Sequence, residues 1–275
     1  MGARLRRLAA FLLTLAALMS SAAHTANALP AVSEQLRSAI APTGTLRAAI
    51  NYNNPLLARR DPASGELSGV AVDLSRELAQ RLGVKLELIP FGSAGDMVEA
   101  VKHGTWDIAY LGIDPARADE IDFTAPYLEL EGTYLVPAGS PLHSIDQVDH
   151  DGIRIAVTAN SAYDLYLSRA LKHAQLLRAP TTPQSLQLLQ TQKLDAVAAV
   201  KTALVAAAPD LAGSRVLPGH FMTIPQAAAV PRGRPLAAAY VRAFIEQMKA
   251  SGFVAAALAR HGLGPNDALV APPEH

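Results

Sequence analysis

The stretch Trp106-Asp107-Ile108-Ala109-Tyr110-Leu111-Gly112-Ile113-Asp114-Pro115-Ala116-Arg117, continuing to Asp122-Phe123-Thr124-Ala125-Pro126-Tyr127, holds the most information in this chain. An apolar strand over Ile108 to Leu111 ends at Gly112, and the turn after it presents Asp114 and Arg117. Chains that alternate strands and helices bind ligands at such strand ends, where backbone groups and charges share a crevice.

The flanking sequence supplies the alternation. Upstream, Thr45 to Ile50 reads as a strand, Asn51-Tyr52-Asn53-Asn54-Pro55 as a polar loop, and Asp61-Pro62-Ala63-Ser64-Gly65 as the turn of a hairpin. Asp73 is expected to cap a helix with Leu74, Leu78 and Leu82 on one face and Gly83 closing it. Lys85 to Pro90 is the next strand, and Ser93 with Asp96 resembles a capping box for a helix ended by Gly104. A second unit is expected from about Thr133, with strands over Ile153–Val157, Leu194–Val200 and Ala227–Val230. Its helices are expected to open at Asn160-Ser161, at Thr182-Pro183 and at Lys201, and two Ala-rich helices split at Gly252 close the chain. Alternating β and α elements imply a mixed sheet covered by helices, an α/β fold.

The ends and the composition set outer bounds. Arg4, Arg6 and Arg7 precede a twelve-residue apolar run from Leu8 to Met19, and Ala26-Asn27-Ala28 supplies an A-x-A pattern, so residues 1–28 read as a secretory signal peptide. The run is shorter than the roughly 20 residues that span a bilayer. Cleavage after Ala28 takes the 24 basic residues to 21 against 24 acidic ones, a charge of −3. A weakly acidic, mixed surface excludes nucleic acid as a partner. With no cysteine there is neither a disulfide nor a lipid-attachment site, so a soluble periplasmic protein is expected, and with few long loops a monomer. No metal or cofactor is expected: the eight histidines lack H-E-x-x-H spacing, no G-x-S-x-G occurs, and Gly262-Leu263-Gly264 follows a helix rather than a strand.

In order along the chain, Gly44-Thr45-Leu46-Arg47, Gly69-Val70-Ala71-Val72-Asp73-Leu74, Leu82-Gly83-Val84, Trp106-Asp107-Ile108, Pro115-Ala116-Arg117, Asp122-Phe123-Thr124-Ala125-Pro126-Tyr127, Leu194-Asp195-Ala196-Val197 and Val230-Pro231-Arg232-Gly233 form a composite pattern. It resembles the type II periplasmic solute-binding proteins of ABC importers, in their amino-acid branch. The resemblance implies two α/β lobes, each a mixed sheet flanked by helices, joined by two hinge crossings near 132–138 and 222–230. Lobe 1 is expected over 44–133 plus 227–265 and lobe 2 over 134–226, with a leader at 29–43 and a tail at 266–275. It further implies a small carboxylate-bearing polar solute, an amino acid or related compound, held in the cleft and presented to an inner-membrane permease.

On that resemblance, Arg117 stands where the family grips the ligand carboxylate, since a guanidinium offers two parallel donors. Asn160 and Ser161 stand at a second-lobe helix start suited to an anion, and both also suit plain helix capping. Three departures bear on the ligand. The turn before Arg117 is about two residues short and offers Gly112 and Asp114; the family's acidic residue after the second-lobe strand is replaced by Val200 followed by Lys201; and Asn54-Pro55-Leu56-Leu57 replaces an aromatic clamp. Either Asp114 receives an ammonium, or the ligand has none and Lys201 meets a second anionic group. Tyr52 and Phe91 are candidate cleft walls, and Asn51 and Asn54 either bond a polar ligand or shape the loop. The fold also resembles exported dehydratases of the cyclohexadienyl type, for which Asp114 or Glu129 would have to act as acid or base, and ligand sensors that serve a membrane receptor. Capture without catalysis is the expected activity.

Overall fold

The computed structural model describes residue 29, residues 31–265 and residues 267–274, so the expected signal peptide lies outside the described residues. From Val32 onward the chain is one compact unit. Three strands open it: β1 (Thr45–Asn51), β4 (Lys85–Phe91) and β5 (Ile108–Gly112), with β1 parallel to both of the others. Between β1 and β4 lies a small hairpin, β2 (Arg59–Arg60) with β3 (Leu67–Ser68). A second parallel set consists of β7 (Arg154–Thr158), β8 (Gln175–Ala179) and β9 (Ala196–Val200), with β7 in the centre.

Two long antiparallel strands bridge these sets. β6 (Ile121–Val136) runs sixteen residues, about 50 Å at ~3.3 Å per residue, and pairs with β9 at one end. β11 (Met222–Pro231) pairs with β6 along its length and with β5, giving the order β4-β1-β5-β11-β6-β9-β7-β8. Short strands β10 (Arg215–Val216) and β12 (Leu269–Val270) also pair with β6. The sheet is therefore continuous where separate lobe sheets were expected, because β6 and β11 belong to both halves. The β6–β11 register slips between Gln226 and Ala227 and again before Ala229, the local irregularity that bends a strand and re-aims its side chains.

The helices follow local chemistry. In α2 (Val70–Leu82) the i, i+4 trio Leu74, Leu78 and Leu82 is fully buried, and Gly83 ends the helix in the left-handed region at φ 65°. Its start is at Gly69 rather than the expected Asp73. Gly69 has φ 133°, and a Cβ there would lie 2.4 Å from the carbonyl oxygen of Leu57, so only glycine passes beneath that loop. Asp73 sits in the first turn instead, its carboxylate accepting from Arg260 at 2.8 Å and facing His261 at 3.0 Å. Ser93 caps α3 (Ala94–Val101), accepting from the N–H of Asp96 at 3.1 Å, and Ser161 caps α4 (Ala162–Ala170), accepting from that of Asp164 at 3.0 Å. Thr181 caps α5 (Thr182–Thr191), one residue earlier than expected, and α6 (Lys201–Ala207) passes into a 3-10 turn at Ala208–Asp210.

The last two helices, α7 (Pro235–Ala250) and α8 (Phe253–Arg260), return to the first half, α7 against β6 and β11 and α8 against α2. The segment expected as a leader contains α1 (Glu34–Ile40), whose Leu36 and Ile40 are buried in packing that brings α1 against α7. Trp106 anchors the first half: it is wholly buried with Met97 and Ala109, and its indole N–H donates to the Met97 carbonyl at 2.8 Å.

A cavity between the two halves

Where β1, β5, β7 and β9 end and α3, α4, α5 and α6 begin, a cavity of about 60 Å³ opens. At roughly 10–15 Å³ per water it has room for about four to six water molecules, the scale of a small solute. The first half lines it with Asn51, Asn53, Asn54, Pro55 and Leu57 after β1, with Gly92–Ala94, and with Tyr110, Leu111, Gly112 and Arg117. The second half contributes Thr158, Ser161, Ala162, Tyr163, Thr182, Val200 and Ala203, and β11 adds Ile224 and Gln226.

Among the described residues, Arg117 is the one charged side chain in this lining. It ends the 3-10 turn Pro115–Arg117, which Asp114 caps through the N–H of Ala116 at 2.9 Å, and it is 2% exposed. One terminal nitrogen donates to the carbonyl of Gly112 and the other to the carbonyl of Asn160 at 2.8 Å, so the guanidinium ties the end of β5 to the start of α4. Burial brings its pKa down to about 10, with Asp114 pulling the other way. It stays a cation at neutral pH. Two of its five N–H donors are engaged in these contacts.

Residues 46–264 match the profile of the bacterial extracellular solute-binding proteins, family 3. The chain belongs to this family. The glutamine-binding protein GlnH of a Bacillus subtilis ABC transporter is 21% identical over 207 residues, 74% of this chain and 76% of that protein. The solute receptor for L-cysteine of Neisseria gonorrhoeae superposes with a TM-score of 0.74 at 23% identity, covering 86% of this chain and 99% of the receptor. The ancestral amino acid-binding protein AncCDT-1, a precursor of cyclohexadienyl dehydratase, gives 0.70 at 22%, covering 83% and 99%. These structures establish the two-lobed type II fold. No helix among the described residues is long and apolar enough to cross a membrane, and among them no group of three or more His, Asp or Glu could hold a metal.

The remaining residues singled out in this family member's sequence divide between cavity and surroundings. Asn51, Asn54, Gly112 and Ser161 join Arg117 in the lining. The side-chain oxygen Oδ1 of Asn51 accepts from the N–H of Asn53 at 3.1 Å, which shapes the loop, while the side-chain oxygen of Asn54 is buried with no partner among the described residues. Ser161 combines its cap with a place in the lining, whereas Asn160, at φ 56°, takes part through its backbone carbonyl. Asp114 is not in the lining: it is 4% exposed and its carboxylate pairs with Arg169 of α4 at 2.7 Å. Lys201 is not there either, because Glu131 holds its ammonium at 2.6 Å. Phe91 packs on the Trp106 cluster, and Tyr52 lies under Arg60, whose guanidinium is 5.7 Å from the ring centroid.

Sequence reasoning passed over Gln226, Thr158, Tyr163 and Thr182. Gln226 is 3% exposed, and its amide has no hydrogen bond among the described residues. The signal available was a lone polar residue before the apolar run Ala227-Ala228-Ala229-Val230. Thr158 was legible as a hydroxyl at the end of a buried strand; in the fold it lies 3.1 Å from the Thr182 hydroxyl, which Tyr163 also faces at 3.4 Å.

Proposed function

We propose that the protein captures a small carboxylate-bearing solute in this cavity, outside the inner membrane, and delivers it as a monomer to the permease of an ABC importer. The observation that carries the reading is Arg117: a buried cation at a wall built by both halves, bonded to each. A guanidinium in a dry site binds a carboxylate through paired, charge-assisted hydrogen bonds. Contacts from two halves exist together only when the halves are closed, so such a ligand shifts the population toward closure. We take 44–133 with 227–265 and 134–226 as the two moving bodies, and β6 with β11 as the segments that flex.

The relatives support the direction of this reading: GlnH is named for glutamine and an ABC transporter, and the gonococcal receptor for L-cysteine. Export follows from the family's extracellular character and from the basic-then-apolar start of the chain. Among the described residues, the lining holds no carboxylate and no imidazole to serve as general acid or base, which favours capture over turnover.

Calorimetric titration with amino acids and small mono- and dicarboxylates, alongside Arg117→Met, tests it. Binding of at least one acid that Arg117→Met removes is expected, with the acid recovered unchanged. Binding only of uncharged solutes, or an affinity indifferent to Arg117, would refute it.

A further inference from the structure

Among the described residues that line the cavity, none is an acid to answer Arg117. Three acids adjacent to cavity elements are turned to other partners: Asp114 to Arg169 at 2.7 Å and to the N–H of Ala116 at 2.9 Å, Asp164 to Arg178 at 3.0 Å and to the N–H of Asn160 at 2.9 Å, and Glu131 to Lys201 at 2.6 Å. A zwitterion enclosed here would give its carboxylate a cation and its ammonium only neutral groups, and a desolvated charge without a counter-charge is costly.

What stands beside the guanidinium is a neutral amide. Gln226 faces Gly112 in the pairing of β11 with β5, and a Cβ at Gly112 would lie 3.3 Å from the Gln226 amide nitrogen. The carbonyl of the same glycine accepts from Arg117. Amide and guanidinium thus both approach Gly112, the one where a Cβ would stand and the other at its carbonyl, and both line the same small cavity. Gln226 as a residue is 3% exposed and its amide is unpartnered among the described residues, and the oxygen of Asn54 adds a buried acceptor in the same lining. A primary amide both donates and accepts, which matches a hydroxyl or an oxo group and neutralises no ammonium.

We propose that the cavity selects 2-hydroxy or 2-oxo monocarboxylates over the corresponding amino acids, with Gln226 reading the uncharged oxygen. The proposal rests on carboxylate capture as read above and narrows it. Left unpaired, a buried amide penalises any ligand lacking that oxygen.

The test is calorimetric titration of the protein with matched trios, each an L-amino acid, its 2-hydroxy acid and its 2-oxo acid, built on the side chains of alanine, valine, glutamine and phenylalanine. In the trio that binds best, the hydroxy or oxo acid is expected to bind about tenfold or more tightly than the amino acid. Gln226→Glu, which supplies a carboxylate, is expected to reverse that order, and Gln226→Leu to weaken the hydroxy and oxo acids by about tenfold or more, with unchanged circular dichroism. Tighter binding of the L-amino acid by the unmodified protein overturns this proposal and leaves carboxylate capture standing. No binding by any of the twelve acids overturns this proposal, and carboxylate capture falls with it when the dicarboxylates of the wider titration also fail to bind.

Discussion

The guanidinium of Arg117 is the residue on which binding is expected to turn. Its removal as Arg117→Met should weaken the true ligand by roughly 30- to several-thousand-fold, about 2–5 kcal/mol, as calorimetry would measure, because an ionised carboxylate then lacks its partner in a dry site. Burial holds its pKa near 10, below the ordinary arginine value. A base with a depressed pKa carries its charge below that value and loses it as the pH rises through it. Affinity for a monocarboxylate should therefore be level from about pH 6 to about pH 9 and fall above about pH 10, and a titration series in that range checks it. Arg117 was legible in the sequence because a Pro-x-Arg turn directly follows a buried strand. The orientation of Asp114, three residues earlier, was not: its rival partner Arg169 lies 55 positions downstream. Gln226 was hidden for a similar reason, since its neighbour Gly112 belongs to a strand more than a hundred residues away.

Asp107 shows how one side chain fastens several elements. Fully buried, it accepts from the backbone and guanidinium of Arg47 on β1, at 2.8–3.1 Å, and from Arg234 at the start of α7 at 3.1 Å. This pairing raises the pKa of Arg47, chiefly through the hydrogen bond. Asp107→Ala should destabilise the protein by about 3–5 kcal/mol, read as a lower urea midpoint, because it strands two cations against the core. Among the elements, those with periodicity and caps were legible: α2 by its leucines, α3 and α4 by their serine caps. β8 was not, since its pattern is mostly half-exposed or exposed and carries no alternating apolar signature. α1 was not either, because seven residues with two buried side chains give too little pattern, and α7 supplies the surface that makes burial worthwhile.

For the molecule as a whole, the contacts that cross between the halves include Arg117 to the Asn160 carbonyl, Asp114 to Arg169, and Gly95 of α3 against Asn160. A Cβ at Gly95 would lie 2.8 Å from that of Asn160, so Gly95→Val should bar this closed arrangement while each half keeps its own core. Ligand affinity is expected to fall by about tenfold or more with little change in melting temperature, and ligand should no longer contract the protein in X-ray scattering. Arg169→Ala should do far less, no more than about 1 kcal/mol of affinity, because the arginine side chain is 53% exposed and solvent screens the pair. An equal loss of affinity in the two variants would show that the ion pair, rather than close approach at Gly95, governs closure.

Most of the order of strands and helices and the candidate anion anchor were readable from the chain alone, because caps, apolar periods and turn residues act over a few positions. Folding alone decided that β6 and β11 fuse two parallel sets into one sheet, that Asp114 and Lys201 spend their charges on Arg169 and Glu131, and that Gln226 lines the same cavity as Arg117. Those outcomes depend on which distant strands pair and in what register, and a shift of one position turns a side chain to the opposite face of the sheet.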